Sequence, residues 1–117
     1  MVAIAWRGAS GVRVQRGTGP VQTVSPAGST AVLSDLAAGP DGRLLAVWDT
    51  GVDDPAALVR AALADGVGAP FGAPEDVSAA GRDSHFGHAA FLGPLPLVVL
   101  ASRPAGGGER VAQAYVR

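Results

Sequence analysis

The chain has 117 residues, room for one small domain, and its 9 basic and 10 acidic residues leave a formal net charge of −1. This balance excludes the basic excess of a nucleic-acid-binding module. The absence of cysteine excludes disulfides, thiolate zinc sites and thiol catalysis. No apolar run approaches the ~20 residues that span a bilayer. We therefore expect no nucleic acid and no membrane as partner, and no cofactor.

Glycine and proline, with 17 and 9 copies, are spread along the whole chain and separate short apolar runs. Such dispersed breakers predict many short strands joined by turns, and hence an all-β fold. The absence of lysine and asparagine indicates a GC-rich bacterial genome rather than a functional demand for arginine. The predicted strands cover residues 2–6, 12–15, 21–25, 31–38, 44–48, 58–64, 75–78, 88–92, 97–102 and 111–116.

The clearest turn is the tetrapeptide Gly39-Pro40-Asp41-Gly42, which predicts an antiparallel pairing of the strands on either side. The segment 54–66 allows two interpretations. Its aspartate, proline, helix-forming residues and closing glycine are together typical of a short helix. The internal repeat described next favours a strand.

Segments of the chain resemble one another in a preserved order. Residues 44–51 resemble 2–8 and, more weakly, 97–102; residues 76–81 resemble 23–28; residues 59–61 resemble 12–14 and 111–113. A period of roughly 40–50 residues that holds four short strands is typical of propeller blades. The strand at 44–48 is apolar on both faces, which predicts a covered sheet.

This repeat divides the chain into a partial blade (1–28), a complete blade (29–81) and a second partial blade (82–117). The expectation is an incomplete β-propeller of antiparallel four-stranded blades, with about two and a half blades in this chain. Trp6 and Trp48 occupy matching positions at strand ends, which predicts packing between blades rather than sugar stacking.

The stretch from Gly39 to Arg43, followed by Trp48, by residues 59–62 and by residues 71–78, resembles the blade repeats of bacterial sialidase-like (BNR or Asp-box type) propellers. In such repeats Gly-Pro-Asp-Gly joins the first two strands of a blade, a tryptophan closes the second, and Pro-x-x-Val-Ser forms the fourth. The resemblance implies structural roles for these motifs. It implies no sialidase activity, because the Asp-box, the arginine triad and the catalytic tyrosine and acid/base residues cannot be placed.

An alternative function comes from residues 44–54. An apolar strand that ends in Asp49-Thr50-Gly51 resembles the active-site stretch of retroviral-type (retropepsin-like) aspartic proteases. The resemblance implies a homodimer in which two copies of Asp49 act as the catalytic pair and share one proton. The C-terminal strand of that family, ending in Gly-Arg-Asn or Gly-Arg-Asp, has no counterpart. The simpler interpretation of this stretch is a turn at a strand end.

Both histidines lie in one short stretch, where Asp83, His85 and His88 supply three candidate ligands for a metal ion. Their spacing matches no established signature, so a structural role is the competing interpretation. The acidic turn at 49–54, which includes Asp53, offers oxygens to calcium but lacks the remainder of a calcium loop.

The prediction from these observations is a non-catalytic scaffold or binding module, with any ligand site at the turns 51–55 and 82–85. Incomplete blades leave sheet edges open, and open edges pair with other strands. The expected partners are the remainder of a longer propeller chain or a second copy of this one.

Overall fold

The computed structural model describes residues 2–9, 11–26, 30–51 and 54–116. Strands account for 58 % of the described residues and helix for 3 %, which confirms the all-β prediction. In these ranges no helix is long and apolar enough to cross a membrane. The sequence boundary expected between residues 28 and 29, and the calcium candidate Asp53, lie outside the described residues.

In the described ranges ten strands form three antiparallel sheets, and strands adjacent in sequence are adjacent in each sheet. The first sheet contains β1 (Ala3–Gly8), β2 (Gly11–Arg16) and β3 (Val21–Thr23). The second contains β4 (Val32–Ala38), β5 (Leu44–Asp49), β6 (Val59–Ala64) and β7 (Glu75–Asp76). The third contains β8 (Arg82–Leu92), β9 (Leu95–Pro104) and β10 (Val111–Val116).

The Gly-Pro-Asp-Gly turn joins β4 to β5, and the two strands are antiparallel as the sequence predicts. Its residues Pro40–Gly42 form a 3₁₀ turn in which Asp41 has a φ of 59°. Gly42 has a φ of 76°, and a Cβ built on it would lie 2.2 Å from the side chain of Val67. Both the backbone conformation and the space therefore require glycine at this position.

The helical interpretation of residues 54–66 is wrong, because residues 59–64 form β6. This strand pairs with β5 along its whole length, from Val59 opposite Asp49 to Ala64 opposite Leu44. On its other side it pairs with β7. Helix propensity is a weak preference, and the burial gained by pairing on both sides outweighs it here.

The second sheet is covered on both faces, and β5 is buried at all its positions. One face packs on the first sheet in a core that contains Val12, Val14, Val24, Ala31, Leu44, Ala46, Trp48, Ala62 and Ala64. The other face packs on the third sheet through Leu45, Val47, Val59, Ala61, Val98 and Leu100. The continuous apolar run of β5 is thereby removed from water on both sides.

The first two sheets share a hydrogen-bond pattern where β2 and β6 begin. The N–H of Val12 donates to Oγ of Ser25, and the N–H of Val59 donates to Oγ of Ser78, both at 2.9 Å. The carbonyl oxygen of each valine accepts the N–H of the residue before that serine, at 2.8 and 2.9 Å. The same four groups thus anchor a short outer strand in both sheets.

The two tryptophans occupy the same strand position but differ in how far they are buried. Trp6 lies opposite Arg13 in the first sheet, and Trp48 lies opposite Arg60 in the second. Trp48 is 1 % exposed and packs between the first two sheets. Trp6 is only partly buried, on the face of the first sheet that carries the 53 % exposed Ile4. Packing between sheets is therefore seen for Trp48 alone.

In the third sheet, the side chains of β9 point to the opposite face from the one that the sequence repeat predicts. Matching 97–102 to 44–49 aligns Val98 with Leu45 and Leu100 with Val47. Leu45 and Val47 face the third sheet, but Val98 and Leu100 face back toward the second. Because side chains alternate between faces, a match that preserves their direction is shifted by one position.

Candidate functional site

The end of β5 and the start of β8 bring three ionisable side chains together. Asp49 closes β5, and Asp83 and His85 lie near the start of β8, which packs on β5. The three residues are 5, 3 and 2 % exposed. Oδ2 of Asp49 lies 3.5 Å from Nδ1 of His85, and Oδ1 of Asp83 lies 2.7 Å from Nε2. The imidazole therefore sits between two buried carboxylates.

Two arginines converge on the other oxygen of Asp83. Nε of Arg103 and Nη2 of Arg110 donate to Oδ2 at 2.9 and 3.0 Å, and Nη1 of Arg110 donates to the Asp83 carbonyl oxygen at 3.0 Å. Burial alone would raise the pKa of Asp83. The hydrogen bond from Arg103 and the charges of His85, Arg110 and Arg103 outweigh burial, so the pKa of Asp83 lies below its ordinary value.

Two fully buried serines lie beside this cluster and are engaged with each other. Oγ of Ser84 donates to Oγ of Ser102 at 2.9 Å, and Nε of Arg82 donates to the same Ser102 oxygen at 2.7 Å. The backbone N–H of Ser84 donates to the carbonyl oxygen of Ala57 at 2.9 Å, which ties β8 to the loop before β6. These hydroxyl groups therefore complete a structural network, and neither is hydrogen-bonded to His85.

The loop after Asp49 is held by its own side chains. Oδ1 of Asp49 accepts the N–H of Gly51 at 2.8 Å, and Thr50 donates its hydroxyl to Asp54 at 2.8 Å. The N–H of Ala56 and the Thr50 hydroxyl both donate to Asp54 and lower the pKa of that carboxyl. Asp49 thus has one oxygen in a turn and the other beside His85, in the geometry of a strand-ending turn.

The metal candidates are only partly brought together. Asp83 and His85 are adjacent, whereas the side chain of His88 is 77 % exposed and its Nδ1 lies 3.9 Å from Oδ2 of Asp35. A bulge in β8 between His85 and His88 separates the two imidazoles. Within the part of the chain that the structure describes, no three His, Asp or Glu side chains are grouped to hold a metal ion.

The bulge in β8 follows from the two residues between the histidines. Phe86 has a φ of 60°, which a bulky side chain rarely adopts, and its ring is 57 % exposed. The guanidinium of Arg110 lies 5.8 Å from the centre of that ring. A Cβ on Gly87 would lie 2.5 Å from Cγ1 of Val47. Glycine therefore lets β8 approach β5 closely at the point where the charged cluster forms.

Sequence reasoning singled out Asp49, Asp83 and His85 but missed Arg103 and Arg110. The hairpin of β8 and β9 places Arg103 directly opposite Asp83. Pairing residues outward from the Gly93-Pro94 turn would place Pro104 opposite Asp83, and only the register shift at the bulge between His85 and His88 brings Arg103 there. Arg110 precedes β10, and no signal in the sequence brings it to Asp83.

A cleft lies elsewhere, between the second and third sheets near the Gly-Pro-Asp-Gly turn. Its volume is about 500 Å³, and its polar lining includes Arg43, Asp65 and Glu75. Arg43 and Asp65 form an ion pair at 3.5 Å in which the Asp65 side chain is largely exposed. The prediction of a turn at 82–85 is wrong, because these residues are the first four of β8. Neither they nor the described residues of the predicted ligand turn 51–55 line this cleft.

Comparisons of the chain with protein-family models, with curated proteins and with solved structures found no match.

Proposed function

We propose that the chain is a non-catalytic scaffold or binding module built from β-propeller-type blades. The observation that carries the proposal is the bond from a valine N–H to a serine hydroxyl, which occurs in the same place in the first two sheets. A matching tryptophan–arginine pair accompanies it in each sheet. Two sheets with the same internal bonds are what successive blades of one propeller require.

The burial pattern supports the same proposal. A blade is sandwiched between its neighbours, and the second sheet has an apolar core on each face. The first sheet has such a core on one face only, and the other face carries Trp6 and the exposed Ile4. An exposed apolar face of this kind needs a further sheet to cover it. The sheet would come from the remainder of a longer propeller chain or from a second copy.

The buried charged cluster supports a structural rather than a catalytic role. Asp83 is paired with Arg103 and Arg110 inside the fold, His85 lies between Asp83 and Asp49, and the two neighbouring serine hydroxyls are engaged with each other. A protease dyad requires its aspartates at a surface where two subunits meet, but Asp49 is 5 % exposed. No observation favours the aspartic protease alternative over the scaffold.

Two measurements test this proposal. A peptide-library hydrolysis assay from acid to neutral pH should detect no cleavage by the wild-type chain or by Asp49→Asn. Sedimentation velocity over a wide range of concentration should separately report whether a second copy covers the open surfaces. Peptide cleavage that disappears in Asp49→Asn would refute the scaffold function and establish the protease.

A further inference from the structure

We propose that the outer edge of β10 binds one extended peptide segment that carries a Val-Ser pair and adds to the third sheet as its fourth, antiparallel strand. The inference rests on the proposed function, because it names the partner of one of the open edges described above. The support comes from the other two sheets of this chain, in which a short segment with a Val-Ser pair lies beside the strand that corresponds to β10.

In the first two sheets the strand that corresponds to β10 has an outer neighbour. β3 lies along β2, and β7 lies along β6. Each neighbour is very short and continues into a valine and a serine, Val24-Ser25 and Val77-Ser78. Two backbone-directed hydrogen bonds from this dipeptide fix it to the strand beside it. A length of only a few residues is therefore sufficient for docking.

The third sheet ends at β10, and within the described ranges no strand lies along the outer side of β10. β10 is also less buried than the strands that correspond to it. β2 and β6 each contain fully buried residues, such as Val12 and Val59 at 0 %, whereas Val111 at the start of β10 is 50 % exposed. The residues 112–114 that follow are also exposed. An edge strand of this kind presents a row of free backbone donors and acceptors.

The edge is already in position for a partner. β10 pairs with β9 along its whole length, from Val111 opposite Ser102 to Val116 opposite Leu97. The hydroxyl of Tyr115 reaches within 3.5 Å of the Glu75 carboxylate on the second sheet. Arg110, directly before the strand, is held by two bonds to Asp83. A rigid edge reduces the ordering cost when a peptide adds as a strand.

The test extends the full chain after residue 117 by a short Gly-Ser spacer and the sequence Gly-Pro-Val-Gln-Thr-Val-Ser-Pro, which is that of residues 19–26. The spacer lets the strand find its register on β10. We expect Tm to rise by about 5 °C, the size that a few added backbone bonds produce in a domain of this length. The amide hydrogens of β10 should exchange about tenfold more slowly. Replacing the appended serine by alanine should remove part of both effects.

Two matched controls make the result specific. A scrambled extension of the same composition should give no rise in Tm. Consecutive residues in a strand point their N–H groups to opposite sides. Of the variants Ala112→Pro and Gln113→Pro, one therefore removes an N–H from the ladder with β9, and the other removes one from the open edge. The variant that leaves the Tm of the unextended chain unchanged should abolish the gain from the extension.

The inference is overturned if the extension changes neither Tm nor amide exchange, or if the scrambled extension works equally well. It is also overturned if β10 is already protected in the unextended chain by a second copy, which sedimentation would reveal. These failures leave the scaffold function standing through its other open surfaces. Conversely, cleavage dependent on Asp49 would refute the scaffold function without altering the measurement on β10.

Discussion

Replacing Ser25 or Ser78 by alanine should destabilise the protein by the same amount. Each hydroxyl accepts a backbone N–H at 2.9 Å, and the two serines are 4 and 7 % exposed. The donors belong to Val12 and Val59, both completely buried. Alanine removes the acceptor and leaves a buried N–H with no partner, which costs about 1–3 kcal/mol.

The free energy of unfolding from urea denaturation is the appropriate measurement, because a loss of stability lowers the midpoint and leaves the slope unchanged. Thr23→Ala is a matched control, since Thr23 is a hydroxyl residue of β3 whose side chain is exposed. Its replacement should change stability by less than about 0.5 kcal/mol. The two serines follow strands of different sheets, so the double variant should lose the sum of the single effects.

Unequal losses would refute the reasoning. If Ser78→Ala costs several kcal/mol and Ser25→Ala costs nothing, the two hydrogen bonds are not equivalent and the first two sheets are not copies of one unit. If neither variant differs from Thr23→Ala, the valine–serine bond does not anchor the outer strands. The peptide proposed for β10 would then lose its main contact.

Three further predictions concern side chains around the second and third sheets. Asp83→Asn should cost about 3 kcal/mol at neutral pH by leaving Arg103 and Arg110 without their carboxylate. Because the folded pKa of Asp83 is depressed, its contribution is complete above its unfolded pKa and lost as pH falls through the folded value. Acid titration followed by circular dichroism should therefore show a smaller loss of stability in Asp83→Asn than in the wild type; equal losses would contradict this. Gly87→Ala should cost about 1–3 kcal/mol, since its Cβ would lie 2.5 Å from Val47; an unchanged Tm would show that β8 can move away freely. Asp76→Ala should cost less than about 1 kcal/mol, because its 2.7 Å ion pair with Arg60 is exposed, and a larger loss in the same urea assay would contradict this assignment.

The strands were predictable because their signals are local. Each of the ten predicted apolar runs overlaps a strand, and the Gly-Pro-Asp-Gly turn specifies its own geometry through Asp41 and Gly42. Only the segment 54–66 carried competing local signals. There the pairing with β5 and β7 makes residues 59–64 a strand, and a short stretch of sequence does not show which strands will pair.

The candidate site was less predictable because its contacts join residues distant in sequence. Asp49 and His85 belong to different sheets and meet only when those sheets pack. Arg110 reaches Asp83 from the far end of the loop between β9 and β10. The sequence repeat aligns Ser25 with Ser78, but it does not show that each hydroxyl accepts a valine N–H. That bond becomes apparent only when the strands are paired.

The third sheet is shifted by one residue relative to the sequence repeat, and the charged cluster helps to fix its alignment on the second sheet. The buried part of the apolar contact between the second and third sheets consists of valines, leucines and one alanine, which tolerate more than one alignment. A slip of β8 by one residue would turn His85 to the opposite face and leave Asp49 buried without its partner. Moving a buried carboxylate away from its polar neighbours into an apolar interface is costly. The cluster therefore selects one alignment of β8 on β5, and the close fit of Gly87 against Val47 reinforces that selection.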